Sequence, residues 1–428
     1  MIINVRVDNF LVYSNEVELS LLADMRIKKF TDNVYKKNNF NILKSACVYG
    51  VNNSGKTCLI RAINSIVNVL LGSPAEVTTN IFREDRLCSL GITFMEADRV
   101  FSYDFKFDNV IVNGSKKGFV YECLKEIFID KHKNISEKEV FVRDAINNIY
   151  RFNGDKLLGE TLSLVSNANI LIYTINTDKY TKIDEYKTIL RNFASKVSIL
   201  SMDNIPIEKT INVLKNNESI KEKTIELIKM ADLDIEDYLY ATHVADESKS
   251  DMEESTPPSE AVLKIRTSIE DMLRLTSVHK GKPVRSLTFD STGTKKMVAA
   301  ASYIVDALEN GKILVVDELD SSLHFKLTRS IVALFNNELN KNAQLLFTAH
   351  DATLLDCKKL FRKDQIWFTS KDESSEYLYS LADFTASEDG VRSDTDLFNK
   401  YNAGVFGAVP EPDLISILLT DVHGSGGN

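Results

Sequence analysis

Residues 50–57 read GVNNSGKT, a glycine, four spacers and then Gly-Lys-Thr. Before them runs the apolar stretch SACVYG (45–50). After them runs KTCLIRAINSIVNVLL, in which Leu59, Ile60, Ile63, Ile66, Val67, Leu70 and Leu71 recur at helical spacing. The order is buried strand, glycine-rich turn, amphipathic helix. In that setting the turn reads as a phosphate cradle. Its glycines let successive backbone N–H groups curl around an anion, and the helix N-terminus adds partial positive charge. The candidate nucleotide-binding residues are therefore Gly50, Asn52, Asn53, Ser54, Gly55, Lys56, Thr57 and Cys58. Lys56 is expected to reach the β- and γ-phosphates, and the Thr57 hydroxyl to ligate Mg²⁺. The bland alternative is a glycine turn that merely opens a helix, and the flanking strand and helix weigh against it.

Composition narrows the class. Hydrophobic residues make up 44% and charged residues 26% of 428, an ordinary globular balance. That length suits two or three domains. The net charge of −9 argues against a surface coated for nucleic acid, while leaving room for a local basic groove such as RIKKFTDNVYKK (26–37) or KHK (131–133). The five cysteines, Cys47, Cys58, Cys88, Cys123 and Cys357, are scattered without CxxC spacing. They indicate neither a disulfide framework nor a zinc site, and they fit a reducing cytoplasm. The opening MIINVRVDNFLVYSNEVELS alternates like a strand and lacks the pattern of a signal peptide. No run approaches the ~18 apolar residues of a membrane span. HGSGGN (423–428) is small and polar, the composition of a tail outside the fold.

Along the chain, residues 3–7 with 16–20, and residues 91–107, alternate apolar and polar and predict two hairpins. Roughly 115–275 is rich in Lys, Glu and Asn and predicts helical patches such as SIKEKTIELIKMADL, ending in the acidic, proline-containing loop VADESKSDMEESTPPSEA (244–261). Short α/β elements return afterwards: helix 294–309, strand 312–317, helix 321–339, and strands 343–348, 365–369 and 376–381. The lone Trp367 is expected in the core.

Two further motifs carry chemistry. In KILVVDELDSSLH (312–324) four apolar residues run into Asp317 and Glu318, a buried parallel strand ending in two carboxylates. Ligands of such sheets bind beyond the carboxyl ends of the strands. Asp317 is the candidate metal holder through water, and Glu318 the candidate that takes a proton from, or orients, an attacking water. AQLLFTAHD (343–351) places His350 after the next strand; taken alone it reads as a core histidine, and in this setting as the candidate γ-phosphate sensor. In FDSTGTKKMVAAASYIVDALENG, Ser291 and Gly293 open a helix directly before the carboxylate strand. Ser291 reads either as a simple N-cap or as a helix N-terminus aimed at a phosphate. The histidines lack metal-ligand spacing, and no GxSxG nucleophile elbow occurs.

The ordered set GVNNSGKT, DSTGTKK, LVVDELDSSLH and LFTAHD resembles the ABC-type P-loop ATPase superfamily, with its RecF-, SMC- and OLD-like members. VHKGKP, LTFDSTGTKK, FTAHDATLLD, RKDQIWFTSKD and VFGAVP narrow the similarity to AAA/ATP-binding proteins of abortive-infection and phage-defence operons, the AbiL-like proteins and the ATPase of the PARIS system. The resemblance spans roughly 1–110 and 275–410. It implies an α/β, ABC-type P-loop NTPase core with a mixed sheet and an inserted helical arm or lid. It implies a homodimer or higher homo-oligomer sandwiching ATP and Mg²⁺, in which Lys56 and Thr57 of one subunit face Ser291 and Gly293 of another and Asp320 lines the junction. It also implies an effector, often a TOPRIM-type nuclease, and a phage protein as trigger. The expected division is 1–114, the first half of the core; 115–275, the helical insertion; 276–385, the second half; and 386–428, a C-terminal extension and tail.

The chain departs from that pattern in one respect. ABC ATPases carry a glutamine after an early strand, whereas the only glutamines here are Gln344 and Gln365. Glu96 is a weak substitute, better read as an exposed hairpin residue. The expected function is an Mg²⁺-dependent ATPase of an anti-phage system. Its rivals are a RecF- or SMC-like ATPase that clamps DNA and a nucleotide-gated scaffold with little turnover.

Overall fold

A computed structural model describes residues 1–112, 115–130, 134–164, 181–216, 218–231, 233–241, 269–356, 360–372, 375–385, 387, 389–391 and 395–409. KHK (131–133), the acidic loop 244–261, Cys357 and HGSGGN lie outside them. The strands in chain order are β1 (Ile2–Asp8), β2 (Val17–Ser20), β3 (Val34–Lys37), β4 (Phe40–Leu43), β5 (Ser45–Gly50), β6 (Cys88–Glu96), β7 (Arg99–Val112), β8 (Ser115–Ile129), β9 (Ile135–Asp144), β10 (Ile149–Phe152), β11 (Val197–Ser201), β12 (Asp237–Tyr240), β13 (Leu275–His279), β14 (Lys282–Arg285), β15 (Ile313–Asp317), β16 (Gln344–Thr348), β17 (Ile366–Lys371) and β18 (Glu376–Ser380). The principal helices are α1 (Lys56–Leu71), α2 (Lys156–Leu162), α3 (Thr181–Ser195), α4 (Glu208–Asn216), α5 (Glu218–Met230), α6 (Thr292–Asn310), α7 (Phe325–Asn336) and α8 (Leu397–Asn402).

Two sheets clasp α1. The core sheet has the order β11-β15-β16-β5-β17-β18, parallel except for β18. The second sheet, β10-β9-β8-β7-β6-β1-β2, is antiparallel. Between them α1 buries Leu59, Ala62, Ile63, Ile66, Val69 and Leu70, and it ends at Gly72, a left-handed cap. Period-two alternation sorts the core strands. Ile313 and Val315 of β15 join the cluster around α1, while Leu314 and Val316 join the cluster with α6 and α7 on the opposite face. The predicted hairpins, the strand 45–50 and α1 stand where their periodicity put them, and Trp367 lies in β17, buried.

The stretch 115–275 is not helical throughout. β8, β9 and β10 extend the antiparallel sheet, β11 completes the core sheet beside β15, and only α2–α5 are long helical pieces among the described residues. Its Lys and Glu content serves cross-strand pairing as well as helix faces. Lys125 pairs with Glu137 at 2.7 Å, and Arg151 with Glu139 at 2.8 Å. The helix expected from 321 starts only at Phe325, because a tight loop with left-handed Glu318 (φ 56°) and Ser322 (φ 63°) intervenes. In the C-terminal extension after 386, described residues pack onto the core sheet. Tyr401 and Phe406 are buried, and Phe406 stacks on Phe368 at 5.1 Å.

Candidate functional site

The carboxyl ends of β5, β15 and β16 lie at one edge of the core sheet, and the register fixes this. Val316 pairs with Phe347, Thr348 with Val48, and Gly50 with Thr369. Past β5 the chain turns through exposed Asn52 and Asn53, the latter left-handed at φ 61°, to Gly55 at φ 110°. Gly55 is demanded twice over. A side chain is strained at that φ, and a Cβ there would lie 2.7 Å from the Tyr13 ring. The buried Tyr13 hydroxyl donates to the Gly55 carbonyl at 3.0 Å and braces the turn from below. Ser54 turns inward, its Oγ 2.6 Å from Thr369 Oγ1 and 2.7 Å from the Val51 carbonyl, so its side chain supports the loop.

Lys56 is buried. Its Nζ donates to the carbonyls of Gly50 (2.7 Å) and Val51 (3.1 Å), folded back on its own loop. Burial holds its pKa below the ordinary lysine value, against the opposing pull of the Asp317, Glu318 and Asp320 carboxylates. Asn52, Asn53, Gly55, Lys56, Thr57, Cys58, Glu318 and His350 line one cleft of about 220 Å³. Thr57 is exposed there, and burial raises the pKa of the half-buried Cys58 thiol. Across the cleft His350 Nε2 is 3.2 Å from Glu318 Oε1.

Asp317 lies just beneath, buried, its Oδ1 accepting from Thr348 Oγ1 at 2.6 Å. The same Thr348 Oγ1 accepts the Glu318 N–H at 2.7 Å. Asp320 takes another place. Its Oδ2 accepts from the backbone N–H of His350 (2.8 Å) and Asp351 (2.5 Å), binding the loop after β15 to the loop after β16 within one chain.

Ser291 and Gly293 are not among the residues lining the Lys56 cleft. Ser291 is exposed and caps α6, its Oγ accepting from the Thr294 N–H at 3.1 Å, so the N-cap reading is present in full. Gly293 is held close to the loop after β15, where a Cβ would lie 2.6 Å from the Ser322 carbonyl. Lys296 fastens the same helix to that loop and to the end of β11, its Nζ reaching Ser321 Oγ and Ser322 Oγ at 3.1 Å and Asp203 at 2.9 Å. Behind Ser291, the Asp290 carboxylate accepts from Ser277 Oγ (2.8 Å) and Ser286 Oγ (2.5 Å) and lies 3.1 Å from His279 Nε2. That same ring nitrogen faces Ser277, so the cluster lacks the two-nitrogen relay of a nucleophilic triad and acts as a brace for the start of α6.

Glu96 belongs to neither half and is not an exposed hairpin residue. It is buried, 2.5 Å from Lys196 Nζ, and Lys196 precedes β11 at the amino end of the core sheet, away from the cleft. Gln344 and Gln365 are buried too, bonded to backbone carbonyls of Ile2, Leu43 and Ser45. Reading by spacing missed Tyr13, Thr348 and Asp203, which reach the site through the fold. The one local hint is Thr348, two residues before His350.

A strand–glycine turn–helix beside a strand that ends in two carboxylates, on a parallel sheet, defines a P-loop NTPase core. Residues 45–356 match the family model described as "AAA domain, putative AbiEii toxin, Type IV TA system", and the chain belongs to that family. No curated protein matches the chain. Among solved structures it is similar to the SMC head domain from Thermotoga maritima (9% identity, TM-score 0.42, covering 89% of this chain and 98% of that one). It is also similar to an SMC head bound to the C-winged helix domain of ScpA (12%, 0.42, 89% and 97%). A third is the Smc head domain with an extended coiled coil bound to the C-terminal domain of ScpA derived from Pyrococcus furiosus (11%, 0.40, 89% and 96%). No described helix is long and apolar enough to cross a membrane.

Proposed function

We propose that this chain binds ATP on Gly50–Thr57 and hydrolyses it, as the ATPase of an anti-phage defence system. The observation that carries the reading is the convergence on one cleft of the P-loop lysine, a glutamate in a left-handed turn and a histidine 3.2 Å from that glutamate. Lys56 exchanges its loop carbonyls for the β- and γ-phosphate oxygens, and the backbone N–H groups of the turn stabilise the charge that develops there. Glu318 takes or orients the proton of a water that attacks the γ-phosphorus in line. The bond to the bridging oxygen breaks, and ADP leaves. His350 orients Glu318 and reads the presence of the γ-phosphate. Thr57 and, through water, Asp317 are the residues suited to hold Mg²⁺, which supplies positive charge against the phosphate oxygens when bound.

Ser291 and Gly293 complete the site from a second copy, presenting the start of α6 to the γ-phosphate. Closure of two copies on ATP shifts α6 and the helices packed on it, α4 and α5, and so changes the hold on an effector. A TOPRIM-type nuclease is our candidate effector, and a phage protein our candidate trigger. The family's description as a putative toxin of a toxin–antitoxin system supports a defence role. The four described cysteines are free, in keeping with a cytoplasmic location.

Glu318→Gln tests the chemistry. It is expected to keep ATP affinity within ~3-fold while lowering turnover by ~100-fold or more. Parental turnover in that variant refutes the hydrolytic reading. If Glu318→Gln protects cells from phage as well as the parent does, nucleotide-gated assembly is the function and hydrolysis is incidental.

A further inference from the structure

We propose that Thr348 is a positioning residue for the reaction, its one hydroxyl setting both site carboxylates. The inference rests on the assignment of Asp317 and Glu318 to ATP hydrolysis. Thr348 ends β16, the strand between β15 and β5, and is fully buried. Its bonding directions are forced. The Glu318 backbone N–H only donates, so the Thr348 oxygen accepts it at 2.7 Å. The hydroxyl's single proton then goes to Asp317 Oδ1, at 2.6 Å.

Two consequences follow from that one oxygen. Asp317 has one carboxylate oxygen tied down, which fixes the direction of the other. Glu318 is held at φ 56°, a left-handed conformation that strains a residue with a side chain and persists where surrounding bonds impose it. The Thr348 carbonyl adds a third bond, accepting the Leu319 N–H at 3.0 Å. Asp320 returns the connection by accepting from His350 and Asp351. The loops after β15 and β16 are thus laced into one unit that carries Glu318 and His350 together, with Thr348 as its buried anchor.

A packing role and a hydroxyl role separate cleanly here. Thr348→Val keeps the shape but leaves the Glu318 N–H without its acceptor and Asp317 without its donor. Thr348→Ser keeps the hydroxyl and loses the methyl. The experiment measures three quantities on full-length parent, Thr348→Val and Thr348→Ser: the melting temperature, binding of a fluorescent ATP analogue as Mg²⁺ is titrated, and single-turnover hydrolysis. Thr348→Val is expected to raise the Mg²⁺ requirement for binding ~10-fold and to slow hydrolysis ~10- to 100-fold, the range seen when a group supporting a metal ligand is lost. Thr348→Ser is expected to restore both to within ~3-fold of the parent. Parental Mg²⁺ dependence and rate in Thr348→Val overturn the proposal. So does a serine variant as defective as the valine one, which assigns the effect to packing. A parent that binds ATP–Mg but does not hydrolyse it fails the ATPase reading instead, and the Mg²⁺ titration still decides the role of Thr348.

Discussion

Around Gly50–Thr57 a single chain lines a cleft of about 220 Å³ with a glycine turn, a lysine folded onto it, the Glu318 carboxylate and a histidine, and it buries Asp317 just beneath. Around Ser291 the same chain supplies a capped helix start, braced from behind by Asp290 and facing a wider cleft of about 620 Å³ lined by Met230, Leu233, Ser322 and His324. The two clefts share no lining residue. The first region holds the groups that phosphoryl chemistry requires. The second holds an exposed helix start, braced by Asp290 and fastened by Lys296. The contrast is what the proposed two-copy arrangement accounts for, with the second region serving the nucleotide of another copy.

The largest effect that would sharpen this contrast comes from Lys56→Ala. It removes the charge that meets the phosphates and is expected to weaken ATP binding by ~100-fold or more, leaving no measurable turnover. A calorimetric Kd within ~3-fold of the parent would break the assignment of the first region.

Gly293→Ala should produce a smaller and differently shaped loss. The added methyl meets the Ser322 carbonyl at 2.6 Å and must push α6 from its mounting. Overpacking of this kind costs ~1–3 kcal/mol of stability; separately, displacing the start of α6, which the proposal aims at the γ-phosphate, is expected to lower turnover ~10-fold or more. ATP affinity at the first region should stay within ~3-fold of the parent. Equal losses in Kd and kcat would show that the two regions are not separable within one chain.

The smallest effect is pH-dependent. Protonated Lys56 is the form that attracts the triphosphate, and burial lowers its pKa in the free protein. Affinity is therefore full below that lowered value and falls as pH rises through it, by at most about tenfold per unit. Titration of Kd from neutral pH upward should show the fall beginning earlier than an ordinary lysine allows. A flat profile up to the ordinary lysine pKa would contradict it.

How much of this was legible in the sequence follows from the same contrast. GVNNSGKT, the apolar run into Asp317 and Glu318, and His350 after the next strand were readable because each motif is local, and a parallel sheet brings such strand ends to one edge. Ser291 was readable as a cap, but what it faces is not written in its neighbours. Tyr13 and Thr348 were missed for a physical reason. Their partners, Gly55 for the one and Asp317 and Glu318 for the other, lie 42, 31 and 30 positions away and meet them only through sheet pairing and loop closure. The antiparallel strands after 115 were misread because the Lys and Glu that pair across strands give the same composition as a solvated helix.

In the proposed assembly two copies close on the nucleotide, one giving its P-loop and the other its Ser291. Light scattering on Glu318→Gln, with and without ATP–Mg, tests it most directly, because that variant is expected to hold ATP without consuming it. A doubling of mass, or a larger whole-number multiple, is expected when ATP is added, and no such change when Ser291 is also replaced by Arg. An unchanged mass in the presence of saturating bound ATP, or assembly that survives Ser291→Arg, would contradict it.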